Sequence, residues 1–103
     1  MQEITITRDN FEKEVLPSEK PVVVDVWAAR CGPCQMLMPT IEEIAKSQDH
    51  IKVCKINVDE QPELAMEYKV MTIPTLLAFR DGEVLGKLIG VQSKEMILNM
   101  FHA

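Results

Sequence analysis

The sequence is poor in cysteine, in basic residues and in long apolar runs, and each shortage excludes a class of protein. Its 103 residues include only three cysteines, whereas small secreted domains are held together by dense, even-numbered sets. Eleven Lys and Arg against sixteen Asp and Glu give a net charge of -5, which disfavours nucleic acid and anionic membranes as partners. No apolar run is long enough to span a membrane, and no basic region followed by an apolar run opens the chain. If Met1 is the natural start, we expect a soluble, cytoplasmic protein.

Length and composition predict one domain. Hydrophobic residues make up 47% of the chain, enough to fill a single core without help from a metal or from several disulfides. No repeat, low-complexity run or linker rich in proline, glycine or serine divides the sequence. We therefore expect residues 1–103 to form a single domain, and we expect it to be a monomer.

The spacing of apolar residues predicts alternating strands and helices. Residues 22–27 are almost continuously apolar, as in a strand covered on both faces, so they are the predicted centre of a sheet. Helical spacing predicts a long helix over 33–48, and Asp81-Gly82 indicates a tight hairpin. The remaining predicted elements are strands at 4–6, 51–58, 75–79 and 84–89, helices at 9–16 and 62–68, and a last helix capped by Ser93. The order βαβαβαββα predicts an α/β fold, a three-layer sandwich with helices on both faces of the sheet.

The stretch Trp27–Cys34, WAARCGPC, places two cysteines where the central strand passes to the long helix, the position of functional sites in open α/β folds. Pro33 suits the first turn of a helix, so Cys31 lies at the helix N-terminus, among unpaired N–H groups and the positive end of the dipole. This environment favours the thiolate, which is the nucleophile in disulfide exchange. Cys34, one turn further along, is close enough to form a ring with Cys31.

Such a pair can carry out redox chemistry, bind a metal or form a structural disulfide. A metal site needs further ligands, and Cys54, His50 and His102 match no second half of a zinc motif. In a reducing compartment a close pair is more often catalytic or metal-binding than a structural disulfide. Cys54 alternates within an apolar strand and is expected to be a small buried hydrophobe, with a regulatory or dimer-forming thiol as the alternative. No metal site is expected, and redox chemistry is favoured.

Over essentially its whole length the sequence resembles the thioredoxin family. The matching pieces are Trp27-Ala28, Cys31-Gly32-Pro33-Cys34, Asp25 in the apolar strand, Pro39 in the long helix, Lys55, Ile73-Pro74-Thr75 and Gly90. CGPC followed downstream by IPT is a specific signature, whereas CxxC alone is a weak one. The resemblance implies the thioredoxin fold, with a central five-stranded mixed sheet and four helices, and the activity of a protein-disulfide reductase.

The resemblance also implies a role for four residues. Cys31 would attack a disulfide in a client protein, and Cys34 would resolve the mixed disulfide that forms. Asp25 would be buried with a raised pKa and would accept a proton from Cys34; the alternative is a carboxylate that only satisfies backbone N–H groups. Lys55 would partner Asp25 and tune its charge; the alternative is an ordinary lysine at a strand end, reaching towards water.

A docking surface for partner proteins is expected around Cys31. By the resemblance, Pro74 follows a cis peptide bond, which places the backbone of Ile73 beside the cysteines to pair with an extended client segment. The residues expected on this surface are Trp27, Arg30, Gly32, Pro33, Ile73, Pro74, Gly90 and Val91. For Trp27 and Ile73 the alternative is a purely packing role.

Arg30 departs from the family pattern, which usually has a second Trp immediately before the first Cys. A guanidinium beside Cys31 would favour its thiolate and make the disulfide more oxidising, because the reduced form is the one stabilised. If Arg30 instead points into water, screening keeps the effect small and mainly partner preference changes. The sequence leaves both alternatives open.

We expect the chain to depend on an external source of electrons. No G-x-G-x-x-G follows a strand, so no nicotinamide site and no cofactor are expected. The resemblance implies reduction by an NADPH-dependent flavoprotein reductase and, as clients, reductases of nucleotides, peroxides or methionine sulfoxide. Two alternatives remain. One is a binding module in which the cysteines are incidental. The other is an enzyme that oxidises client thiols, and the reduction potential of the protein would distinguish it.

Overall fold

Strands and helices follow one another in the predicted order in the computed structural model, which describes residues 3–102. The strands are β1 (Ile4–Thr5), β2 (Val22–Trp27), β3 (Lys52–Asn57), β4 (Thr75–Arg80) and β5 (Glu83–Ile89). The helices are α1 (Phe11–Glu14), α2 (Gly32–Ser47), α3 (Pro62–Glu67) and α4 (Lys94–Asn99). Within this part of the chain, no helix combines the length and the apolar character that crossing a membrane requires.

The five strands form one mixed sheet in the order β1-β3-β2-β4-β5. β3 runs parallel to both β1 and β2, whereas β4 is antiparallel to β2 and β5 is antiparallel to β4. β2 is therefore the central strand, and every residue in it except Trp27 is buried. This confirms the prediction from its apolar run, since a strand covered on both faces has no polar side to display.

Apolar clusters cover both faces of the sheet. One cluster contains Val22, Val24 and Val26 of β2 together with residues of α1 and α3. The other contains Val23 together with residues of α2 and α4. Because side chains alternate along a strand, Asp25 shares the face of Val23, which α2 covers. The arrangement confirms the three-layer sandwich.

The first strand and helix are shorter than the patterns at 4–6 and 9–16 predict. The side chain of Asn10 accepts a hydrogen bond from the Thr7 N–H (2.7 Å) and donates one to the Thr5 carbonyl (2.9 Å). These bonds hold the chain in a turn, so α1 begins only at Phe11. Ile6 lies just beyond β1 but remains buried in the core.

Two local predictions are confirmed in the C-terminal half. Asp81 and Gly82 both have positive φ, 51° and 81°, as a two-residue hairpin turn of type I′ requires. Ser93 precedes α4, and its Oγ accepts a hydrogen bond from the Met96 N–H at 3.1 Å. The hairpin turn at Asp81-Gly82 and the N-cap of α4 at Ser93 thus form as the residue types at those positions predict.

Candidate functional site

The two cysteines lie where β2 passes into α2. Cys31 is the residue that caps α2, in an extended conformation, and Gly32 and Pro33 form the first helical positions. Proline is tolerated there because the first N–H groups of a helix have no partner within the helix. The predicted helix start is therefore confirmed, with Cys31 at the positive end of a helix of 16 residues.

Cys31 and Cys34 form a disulfide in the structure. Cys31 retains 8% of its surface, whereas Cys34 is 1% exposed, so Cys31 is the more accessible cysteine of the pair. The backbone N–H of Cys34 donates a hydrogen bond to Sγ of Cys31 at 3.2 Å. In the dithiol form, the same N–H and the helix N-terminus favour a thiolate at Cys31.

The loop before β4 approaches the first cysteine. The peptide bond between Ile73 and Pro74 is cis, as expected. The carbonyl oxygen of Ile73 lies 3.8 Å from Sγ of Cys31, and the Pro74 carbonyl accepts a hydrogen bond from the Gly90 N–H at 2.8 Å. The structure thus brings the backbone of Ile73 beside the disulfide, as the family resemblance implies.

The members of the expected docking surface differ in exposure. Arg30, Gly32, Pro33 and Val91 are exposed; Trp27, Ile73 and Gly90 are half-buried; Pro74 is buried. Trp27 and Ile73 pack directly against the small cluster of Ala28, Cys31 and Cys34. Packing and partial exposure therefore coexist at these two residues, and Pro74 offers a partner little side-chain surface.

Asp25 is a buried carboxylate in the central strand. It is 1% exposed, and burial raises its pKa to about 7, against the opposing effect of Lys55 and with a smaller upward contribution from Glu3. Its Oδ1 atom accepts no hydrogen bond from residues 3–102. A carboxylate present only to satisfy backbone N–H groups would be hydrogen-bonded, so this alternative finds no support. A carboxyl group that titrates near neutral pH is suited to accepting and returning a proton.

Lys55 lies opposite Asp25 in the parallel pairing of β2 and β3. Its Nζ lies 3.7 Å from Oε1 of Glu3 and 4.4 Å from the centroid of the Trp27 ring. Within residues 3–102 it forms no ion pair with Asp25 at 4.0 Å or less, yet its charge lowers the pKa of that carboxyl. Lys55 is therefore a half-buried cation acting on Asp25 through space, with Glu3 as a partner that sequence reasoning missed.

Arg30 binds a carboxylate that sequence reasoning also missed. Its Nε and one terminal nitrogen each donate a hydrogen bond to the Asp59 carboxylate, both at 3.1 Å. Trp27 pairs with Asn57 at the ends of β2 and β3, so the loops that follow these parallel strands are neighbours. The predicted parallel strands could therefore have indicated that Asp59 lies near Arg30. Asp59 compensates the charge of Arg30 beside Cys31.

Among the described residues, no cluster of three or more His, Cys, Asp and Glu side chains could hold a metal ion. Cys54 is fully buried in β3, as expected for a small hydrophobe, and burial raises its pKa to about 12. The Cys31–Cys34 disulfide and the buried carboxylate of Asp25 are the groups near the end of β2 that the proposal below uses.

A family model described as Thioredoxin matches residues 2–103. The chain belongs to the thioredoxin family. It is 48% identical over 95 residues to "Thioredoxin" of Rickettsia typhi, which covers 91% of this chain and 90% of that protein. It is 44% identical over 93 residues to "Thioredoxin" of Streptomyces clavuligerus, with 90% of this chain and 87% of that one covered.

A fused protein is also similar to this chain. The "Bifunctional thioredoxin reductase/thioredoxin" of Mycobacterium leprae is 43% identical over 96 residues, which are 92% of this chain and 21% of that protein. Family membership and the Cys31–Cys34 disulfide together make this chain a thiol–disulfide oxidoreductase of the thioredoxin fold.

Proposed function

We propose that this protein reduces disulfides in client proteins, with Cys31 as the attacking thiol and Cys34 as the resolving one. The observation that carries the assignment is the difference between the two sulfurs. Cys31 is the more exposed, caps α2 and accepts a hydrogen bond from the Cys34 N–H, whereas Cys34 is almost fully covered. Such an environment favours the thiolate at Cys31 and keeps Cys34 for the intramolecular step.

The reaction is two consecutive exchanges. The Cys31 thiolate attacks one sulfur of the client disulfide, a mixed disulfide forms, and the other client sulfur leaves as a thiolate. Cys34 then loses its proton and attacks the Cys31 sulfur, which closes the Cys31–Cys34 disulfide and releases the second client thiolate. Two electrons pass to the client, and the protein ends oxidised.

We propose Asp25 as the group that takes the proton from Cys34, directly or through water. Its burial on the face that α2 covers and its pKa of about 7 support this role, because a base works best when its pKa lies near the operating pH. Lys55, its partner in the strand pairing, tunes that charge. The nearest alternative for Lys55, a side chain extended into water, is not supported by its 15% exposure.

The client docks on the surface around Cys31. The Ile73 backbone beside the disulfide offers a carbonyl and an extended segment for pairing with a client strand. Trp27, Gly32, Pro33, Gly90 and Val91 supply small or apolar contacts, Arg30 supplies a polar one, and Pro74 positions the loop. The exposed Arg30 makes this surface more polar than the tryptophan usual in the family.

We propose that an NADPH-dependent flavoprotein reductase returns electrons to the disulfide. The fusion of a thioredoxin reductase with a thioredoxin, as the relative from Mycobacterium leprae is named, supports such a partner. Reductases of nucleotides, peroxides or methionine sulfoxide are the proposed clients. Residues 1–103 would act as one monomeric domain in the cytoplasm, a proposal supported by the family match over residues 2–103 and by the low cysteine count.

Reduction of insulin disulfides by dithiothreitol, followed as turbidity, tests the proposal. We expect the wild type to accelerate the reaction, Cys31→Ser to be inactive, and Cys34→Ser to accumulate a mixed disulfide with insulin that mass spectrometry detects. Cys54→Ser is the matched control and should keep the wild-type rate, since that thiol is buried in the core. A wild type no faster than dithiothreitol alone would overturn the proposal in favour of a binding module.

A further inference from the structure

Lys55 lies between two carboxylates of the sheet and pairs with the outer one. β3 is flanked by β2, which carries Asp25 opposite Lys55, and by β1, which Glu3 directly precedes. The distance from Lys55 Nζ to Glu3 Oε1 is 3.7 Å, whereas no ion pair links Lys55 and Asp25 in the described part of the chain. The ion-pair partner of the cation is thus Glu3 and not the carboxylate used in the proposed proton transfer.

The surroundings of this ammonium group hold it in place. It lies 4.4 Å from the centroid of the Trp27 ring, a distance at which a cation is attracted to the ring face. The side chains of Lys55 and Glu3 are only 15% and 22% exposed, so salt screens their interaction less than that of a surface pair. Trp27 and Glu3 together therefore fix the direction in which the lysine extends.

Two charged groups among the described residues shift the pKa of Asp25. Lys55 on β3 lowers it, and Glu3 before β1 raises it. The partner of Asp25 on β4 is the uncharged Leu76, and the buried face of α2 carries Cys34 besides apolar side chains. The position of the Lys55 ammonium is consequently the main electrostatic variable at Asp25.

We propose that Glu3 is a positioning residue for the redox reaction. It forms the ion pair with the Lys55 ammonium, which leaves the Asp25 carboxylate without an ion-pair partner among the described residues and able to take the proton from Cys34. This inference rests on the proposed role of Asp25. Glu3 acts through Lys55 and touches neither the cysteines nor the client.

A direct titration of Asp25 tests the inference without measuring activity. The ¹³C resonance of its labelled side-chain carboxyl is followed against pH in the full-length oxidised protein. In Glu3→Gln the ammonium is released towards Asp25, and we expect the titration midpoint to fall by roughly half a pH unit. Glu83→Gln, which removes an exposed carboxylate at the opposite edge of the sheet, should leave the midpoint unchanged. A midpoint unaffected by Glu3→Gln would overturn the inference.

The route through the lysine is tested in a Lys55→Gln background. Removing the cation alone should raise the midpoint of Asp25. Adding Glu3→Gln should then shift it by less than half as much as in the presence of Lys55. An equal shift in both backgrounds would mean that Glu3 acts by its own charge and positions nothing, which contradicts the inference.

The rate of insulin reduction against pH separates this inference from the role of Asp25. We expect Glu3→Gln to move the Asp25-dependent limb of the profile to lower pH, in step with the titration midpoint. If Asp25→Asn leaves the profile unchanged, proton transfer by Asp25 is wrong, and the inference falls with it even where the midpoint shifts. If Asp25→Asn alters the profile and Glu3→Gln does not, only the positioning role of Glu3 is wrong.

Discussion

Arg30 and Asp59 join the loops after β2 and β3 by two hydrogen bonds of 3.1 Å each. The two residues are 65% and 50% exposed in their side chains, and Asp59 is itself fixed by a hydrogen bond from its N–H to the Asn57 side chain at 2.9 Å. The residue before Cys31 thus has its charge compensated by a carboxylate on the neighbouring loop. We therefore expect Arg30 to affect the choice of partner more than the thiol chemistry of Cys31.

Substitution of Asp59 and substitution of Arg30 should have opposite effects on the pKa of Cys31. Asp59→Asn leaves the guanidinium uncompensated and should lower the thiol pKa, whereas Arg30→Trp leaves a carboxylate and should raise it. Because both side chains are exposed, each change in thiolate fraction at neutral pH should be about twofold. The pH dependence of Cys31 alkylation by iodoacetamide measures this. The double variant is the control, and its alkylation profile should lie close to that of the wild type. If both single variants have the same profile as the wild type, the pair does not act on Cys31.

Burial of Asp25 predicts that stability falls as pH rises. Its pKa is about 7 in the folded protein, against 3.8 ordinarily, so between these values the folded state holds a proton that the unfolded chain has released. This contribution is fully present below pH 4 and lost above pH 7, and it amounts to on the order of 4 kcal/mol. Asp25→Asn should remove that slope.

Urea unfolding of the oxidised protein at pH 4, 6 and 8 checks this prediction. The difference in unfolding free energy between the wild type and Asp25→Asn isolates the carboxyl, since all other groups titrate in both. Asp9→Asn, at an exposed position, should keep the wild-type dependence. Parallel curves for the wild type and Asp25→Asn would contradict a raised pKa at Asp25.

Cys54 should remain unmodified while the protein is folded. It is fully buried, and its pKa is raised to about 12 by burial, so almost no thiolate exists at neutral pH. In the reduced protein at pH 7, iodoacetamide should alkylate Cys31 and leave Cys54 unmodified. Peptide mass spectrometry measures the extent of alkylation at each cysteine. Denatured protein is the control, in which all three cysteines should react. Alkylation of Cys54 at a rate near that of Cys31 would show that the core opens.

The cap of α4 should contribute measurably to stability. The Ser93 Oγ satisfies the Met96 N–H at 3.1 Å, so Ser93→Ala should lower the unfolding free energy by about 1 kcal/mol. Ser47→Ala is a matched control, because the Ser47 hydroxyl donates to the Glu43 carbonyl within α2 and caps no helix start. Equal losses in the two variants would argue against a capping role.

Gly90 should tolerate alanine poorly for reasons of backbone conformation. Its φ is +90°, although a Cβ there would meet nothing within 4 Å. A side chain at positive φ costs about 1–2 kcal/mol, so Gly90→Ala should be less stable by that amount in urea unfolding. Gly32→Ala, also with open space but with no positive φ, is the control and should lose no stability. A Gly90 variant as stable as the wild type would show that the loop relaxes.

Much of the fold could be read from local patterns. The apolar run of β2 predicts the central strand because only a strand covered on both faces can be apolar at almost every position. Pro33 predicts the start of α2, and Asp81-Gly82 predicts the hairpin, because each restricts the backbone of its own neighbours. The exact start of α1 could not be read in this way, since it depends on hydrogen bonds of the Asn10 side chain.

The order of elements, the buried position of Asp25 and the helix-capping position of Cys31 could be predicted, because each depends on residues close together in the chain. Which partners the charged side chains take depends instead on the folded sheet. Asp59 reaches Arg30 and Glu3 reaches Lys55 because strand order and register place distant segments side by side. Apolar periodicity predicts which face a residue occupies, but the choice among several carboxylates within reach of one cation depends on distances that only the folded sheet sets.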